Sequence, residues 1–105
     1  ATTRSTDFAP GADNRLTAIG QILNENTDYR IEIESHTDNQ GTASELESLT
    51  ERRSRAIAER LSVFGIPNNR MEPRGLGASI PVAPNNTNAN RAKNRRVNLI
   101  MVPVI

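Results

Sequence analysis

The sequence predicts an α+β domain, with helices packed on one face of a small mixed sheet. Three observations carry that expectation. Tyr29-Arg30-Ile31-Glu32-Ile33-Glu34 alternates strictly between apolar and charged residues, the period of a half-buried strand. Leu46, Leu49, Ile57, Leu61 and Phe64 recur at spacings of three and four, the period of an amphipathic helix. A further strand-like stretch follows that helix, and a strand-helix-strand order implies a right-handed crossover with parallel pairing.

Each element has its own local reasons. The first helix is expected from about Pro10 to Asn26: proline suits a first helical turn, and Ala12, Leu16, Ile19 and Leu23 share one face. Asn24-Glu25-Asn26-Thr27-Asp28 breaks it. In the strand at 29–34, Tyr29, Ile31 and Ile33 face one way and Arg30, Glu32 and Glu34 the other, as in a sheet whose second face meets water. The polar turn Ser35-His36-Thr37-Asp38-Asn39-Gln40-Gly41 follows. The second helix is expected from about Ser44 to Phe64, with Gly65 as its C-terminal cap and Pro67 forbidding continuation. A short strand near Arg70 to Arg74 and a more apolar one from Val97 to Val102 complete the pattern. Between them, residues 81–90 are rich in Pro and Asn and read as an ordered surface loop. Three strands make a thin sheet, so a further strand is expected at or before residues 1–6, cut short in this chain.

At 105 residues the chain has room for one domain with one modest core. There is no apolar run long enough to span a membrane, and no signal peptide is visible at the N-terminus. The mature form of an exported protein, or an excised domain, would look the same. Thirteen Lys and Arg against twelve Asp and Glu argue against nucleic acid as the main partner. The lack of cysteine excludes disulfide scaffolds, thiolate metal sites and cysteine nucleophiles.

The sharpest anomaly is Arg53. On a helical wheel it lies between Leu49 and Ile57, in the middle of the apolar stripe, while Arg52, Arg55 and Glu59 point away. A guanidinium there needs an acceptor, because an unpaired buried charge is costly. An internal salt bridge, snorkelling to the core edge and ligand binding all satisfy that need. Arg60, at the stripe's edge, is expected to snorkel. Asp38 is the nearby acid, in the loop between a strand and the helix carrying Arg53. Ligands bind in such loops, and Asp also caps turns by accepting from its own backbone. Together Asp38 and Arg53 suit a zwitterion, with an ammonium on one and a carboxylate on the other.

Other constellations are weaker. His36 and Asp38 lie two apart, yet no nucleophile sits in a recognisable elbow, so His36 reads as a structural hydrogen-bonding residue. One histidine without ligand spacing makes no metal site, and Asp38-Asn39-Gln40-Gly41 lacks the pattern of a calcium loop. Gly75-Leu76-Gly77 lacks the third glycine of a dinucleotide turn. Arg91 and Lys93 read as a solvated loop end, while Arg95 and Arg96 are placed either to bond back to the turn or to assist an anionic ligand.

The run Ile31-Glu32-Ile33-Glu34-Ser35-His36-Thr37-Asp38-Asn39-Gln40-Gly41 resembles the I-x-G-H-T-D-x-x-G signature of OmpA-like C-terminal domains. Leu49-Thr50-Glu51-Arg52-Arg53-Ser54-Arg55-Ala56-Ile57 resembles their L-S-x-x-R-A-x-x-V helix. Gly65, Arg70, Gly75-Leu76-Gly77, Pro81, Asn86, Asn88 and Asn94-Arg95-Arg96-Val97 continue the pattern in order. The family includes outer-membrane porin-like proteins, peptidoglycan-associated lipoproteins and flagellar stator subunits. The resemblance implies a β-α-β-α-β-β fold and non-covalent peptidoglycan binding at the diaminopimelate of the stem peptide. It implies that Asp38 holds the ammonium and Arg53 the carboxylate, with Thr37 and Asn39 as pocket wall or backbone donors and Arg95 beside the pocket. Ser35 replaces the usual Gly, Leu46 a common Asn, and Ser54 a common Ala.

The expectation is therefore a periplasmic cell-wall anchor rather than an enzyme, with no cofactor and no metal. Its membrane attachment would come only through an unseen upstream segment. The rival is a protein-interaction module that kept the fold and lost the ligand, with Leu46 as its support. A cell-wall hydrolase is more distant, since it needs two placed carboxylates or a metal.

Overall fold

The structure, a computed structural model, describes residues 12–104. Its order is α1 (Ala12–Glu25), β1 (Tyr29–His36), α2 (Ala43–Ser62), β2 (Met71–Gly75), α3 (Asn88–Asn94) and β3 (Arg96–Pro103), with a 3-10 turn at Asn68–Arg70 before β2. The sheet order is β2-β1-β3, with β1 and β2 parallel and β1 and β3 antiparallel. The mixed α+β architecture expected from the sequence is present. The extra strand expected at residues 1–6 lies outside the described residues.

Alternation along β1 builds the core. Ile31 and Ile33 are fully buried and join Leu16 and Leu23 of α1, Ile57 and Leu61 of α2, Ile66 and Met71. On the other face Arg30 Nη1 bridges Glu32 Oε2 at 3.0 Å and Glu72 Oε2 at 2.7 Å, and Arg74 Nη2 meets Glu72 Oε1 at 2.8 Å. These pairs are partly exposed and organise that face more than they stabilise it. Pro73 fits because β2 is an outer strand among the described residues, where its missing N–H need not face a neighbour. Arg70 fastens the corner between α1 and β1, donating to the carbonyls of Leu23, Asn26 and Tyr29 at 2.6–3.0 Å. It thereby supplies donors to the carbonyls at the end of α1.

Boundaries depart from expectation by a residue or two, with local causes. β1 runs on through Ser35 and His36 because both have ladder partners on β3, Val97 and Arg96. α2 begins at Ala43 because the Thr42 side chain accepts from Glu45 N at 3.2 Å. It ends at Ser62 with Val63 in the cap position, two residues before the expected end, and Gly65 closes the following turn at φ 89°.

One correction concerns the segment before β3. Residues 81–90 were expected to be loop and Arg91 and Lys93 a loop end, but Asn88–Asn94 is helical. Its seven residues, Asn-Ala-Asn-Arg-Ala-Lys-Asn, carry no apolar stripe, so periodicity is silent. The Thr87 hydroxyl caps it by accepting from Asn90 N at 3.0 Å. Asn94, fully buried at its end, accepts from Val82 N (2.8 Å) and Ala83 N (3.1 Å). Its amide donates to Ala83 O (2.9 Å) and Asn85 Oδ1 (2.8 Å). The loop before α3 is ordered because this side chain satisfies its backbone.

Candidate functional site

The site forms where β1 runs out. Beyond the strand the chain stays tied to the segment after β2: Leu76 N donates to Ser35 O and Thr37 N to Gly77 O, each at 3.0 Å. Thr37 is buried, Asp38 follows with its side chain only 4% exposed, and Asn39 turns out to the surface. Each Asp38 oxygen has a role. Oδ1 accepts from Gln40 N at 3.0 Å, the turn-capping bond expected of an Asp in a loop. Oδ2 accepts from Arg95 Nη1 at 2.7 Å.

Arg95 reaches Asp38 because of strand register. His36 stands opposite Arg96, so the residue before β3 meets the residues just past β1. The basic cluster thereby separates into different duties. Arg96 Nη2 donates to Ile80 O at 3.0 Å, and Arg91 bonds Asn85 O and the Asn88 side chain, while Lys93 is exposed. Arg95 alone of the four pairs with Asp38.

Arg53 enters from α2. It is half-buried rather than fully buried, and the reason corrects the wheel's picture. The buried face of α2 includes Thr50 and Ser54 besides Leu46, Leu49, Ile57 and Leu61. Those two hydroxyl residues shift its centre away from Arg53. Burial and the like charge of Arg95 hold the Arg53 guanidinium below its usual pKa, and the Asp38 carboxylate acts in the opposite sense. Three of the five residues singled out from sequence, Asp38, Arg53 and Arg95, thus form one electrostatic cluster. Thr37 lies buried beside it and Asn39 lies exposed at its rim.

Sequence reasoning passed over what holds α2 in place. Ser54 Oγ lies 2.6 Å from Arg74 O and 2.7 Å from Ser35 Oγ. Thr50 Oγ accepts from Gly77 N at 3.0 Å. At Gly75 a Cβ would sit 2.1 Å from Glu51 N, so only glycine permits this approach of β2 to α2. The one available signal was that Thr50 and Ser54 fall on the inner side of the helical wheel.

His36 does not pair with Asp38: neither ring nitrogen has a hydrogen-bond partner, although the residue is buried. Burial, then the charge of Arg96, pushes its pKa below the ordinary histidine value, with Glu34 opposing. The expected structural hydrogen bond is therefore absent. A cleft of about 530 Å³ runs between α2 and β2, lined in part by Glu47, Glu51 and Arg74, and includes none of Asp38, Arg53 or Arg95.

Residues 3–95 match the OmpA family. The outer-membrane lipoprotein YfiB of Pseudomonas aeruginosa is 40% identical over 92 residues, 88% of this chain and 55% of that protein. The peptidoglycan-binding protein ArfA of Mycobacterium tuberculosis is 33% identical over 86 residues, 82% of this chain and 26% of that protein. The crystal structure of the peptidoglycan-associated lipoprotein from Burkholderia pseudomallei superposes with a TM-score of 0.88 at 30% identity, over 93% of this chain and 83% of that one. The chain spans about half the length, or less, of the curated relatives it matches.

Proposed function

The chain belongs to the OmpA family, and we propose that it binds peptidoglycan non-covalently and so tethers an outer-membrane or periplasmic protein to the cell wall. The ligand is the diaminopimelate-containing stem peptide. Asp38 receives the ammonium of diaminopimelate and Arg53 its carboxylate, with Thr37 as buried pocket wall and Asn39 at the rim. Arg95 holds the Asp38 carboxylate in place.

The observation that carries this reading is the buried Asp38 carboxylate, paired to Arg95 at 2.7 Å within the field of Arg53. A fixed carboxylate beside two guanidinia presents both signs of charge within one small region, as a zwitterion requires. Arg53 supplies a planar fork matched to a carboxylate. The names of two relatives, a peptidoglycan-binding protein and a peptidoglycan-associated lipoprotein, point the same way. The chemistry asked of the site is recognition only, and no reacting group is invoked.

The test is a calorimetric or NMR titration with a diaminopimelate-containing muropeptide. Saturable binding is expected, weakened about 10- to 100-fold in Arg53→Ala, the loss of a charge-assisted bidentate contact. Failure of the wild-type domain to bind would overturn the reading and favour a protein-interaction module of the same fold, the alternative for which Leu46 in place of a common Asn speaks.

A further inference from the structure

Two departures from the family pattern, Ser35 for Gly and Ser54 for Ala, are a single feature. Both side chains are completely buried, and their oxygens lie 2.7 Å apart. The direction of the bonds follows from proton counting. A hydroxyl has one proton, and a carbonyl oxygen can only accept. Ser54 Oγ is 2.6 Å from Arg74 O, so its proton goes there. Ser35 must then donate to Ser54. The result is a one-way chain from β1 through α2 to the backbone of β2.

This chain sits between the two arms of the proposed site. Ser35 is three residues before Asp38 on the strand that presents the carboxylate, and Ser54 adjoins Arg53 on the helix that presents the guanidinium. Thr50, one turn earlier, makes the only other side-chain bond from the buried face of α2 to the β2 side among those described, to Gly77 N. Rotation or sliding of α2 at Ser54 would move Arg53 relative to Asp38.

We infer that this buried hydroxyl latch makes Ser54 a positioning residue: Ser54 gives the buried Ser35 hydroxyl its acceptor, and without it Ser35 displaces α2 and moves Arg53 relative to Asp38; the inference rests on the peptidoglycan reading. The latch is asymmetric. Ser54 retains its acceptor, Arg74 O, whatever stands at 35. Ser35 depends on Ser54, and without it holds a buried donor with no acceptor in the chain described. Ser54→Ala alone is therefore the harmful change, and Ser35→Gly relieves it by removing the orphaned hydroxyl.

The experiment compares wild type, Ser35→Gly, Ser54→Ala and the double variant by calorimetry with a diaminopimelate-containing muropeptide, at a temperature where circular dichroism shows each folded. A second ligand, amidated at the diaminopimelate carboxylate that Arg53 receives, reads the alignment of Arg53 separately from overall stability. The expectation for Ser54→Ala is about a tenfold loss of affinity for the free carboxylate and a reduced preference for it over the amide, the effect of one orphaned buried hydrogen-bonding group. Ser35→Gly should stay within about twofold of wild type, and the double variant should recover to within about threefold. Wild-type binding with Ser54→Ala unchanged in affinity and preference would overturn the latch and leave the peptidoglycan reading standing. So would a double variant no better than Ser54→Ala. Should Ser54→Ala not fold, the latch stands or falls on whether Ser35→Gly restores folding and preference. Absence of wild-type binding would overturn both.

Discussion

Removing the guanidinium of Arg95 should expose how firmly Asp38 is held. The pair is 2.7 Å long, with side-chain exposures of 4% for Asp38 and 25% for Arg95. Exposed ion pairs contribute about 0.2–1 kcal/mol, and breaking a buried pair costs about 3–5 kcal/mol. Asp38 is on the buried side of that range and Arg95 between the two, so a coupling of about 2 kcal/mol is expected. At roughly 4–6 °C per kcal/mol for a domain of this size, Arg95→Ala should lower Tm by about 8–12 °C. The coupling is isolated by a double-mutant cycle of Arg95→Ala, Asp38→Asn and their combination, unfolded in urea. Asparagine keeps an oxygen for Gln40 N–H, so the turn bond survives while the charge is lost. A coupling below about 0.5 kcal/mol would refute the argument, since Asp38 would then be behaving as a surface carboxylate.

The remaining expectations concern the surroundings of the site. Gly75→Ala places a methyl 2.1 Å from Glu51 N, against backbone that cannot rotate away, so a loss of about 3 kcal/mol or more is expected in denaturant unfolding, and an unchanged midpoint would contradict the packing. Asn94→Ala removes four hydrogen bonds from a buried side chain; a cost of about 2–4 kcal/mol and lost exchange protection at the Val82 and Ala83 amides are expected by NMR. His36 has a folded pKa below its ordinary value of 6.5, so its neutral form is the one the fold favours. The unfolded chain takes up a proton near pH 6.5 that the folded chain resists, so the stability due to His36 is full above that pH and declines below it. His36→Gln should flatten the difference between urea midpoints at pH 7.5 and 5.5 relative to wild type, and an identical pH dependence in both proteins would contradict this.

How much of this was legible depends on whether a signal was local. β1 and α2 announce themselves because a strand with one buried face and a helix with one apolar stripe repeat every 2 and 3.6 residues. Asp38 and Arg53 stood out for the same reason, one in a polar turn after a patterned strand and one charged among apolar neighbours. α3 was invisible because its seven residues carry no stripe and its anchor is the buried Asn94, bonded to residues 9–12 positions away, while the Thr87 cap is local but too common to mark a helix alone. The bonds of Ser35, Thr50 and Ser54 were not legible because a hydroxyl carries no hydrophobic signal; each finds a bonding partner outside its own element.

Arg95 is the instructive case. It lies 57 residues from Asp38, and no periodicity connects them. The connection is the antiparallel register of β1 with β3, in which His36 faces Arg96 and Ile33 faces Leu99. A slip of one residue would turn the alternating faces of β3 over and carry Leu99 away from the core it packs against. The partial burial of Leu99 therefore excludes the one-residue slips that would bring a neighbour of Arg95 to Asp38. The charge cluster and the apolar packing are two consequences of one ladder.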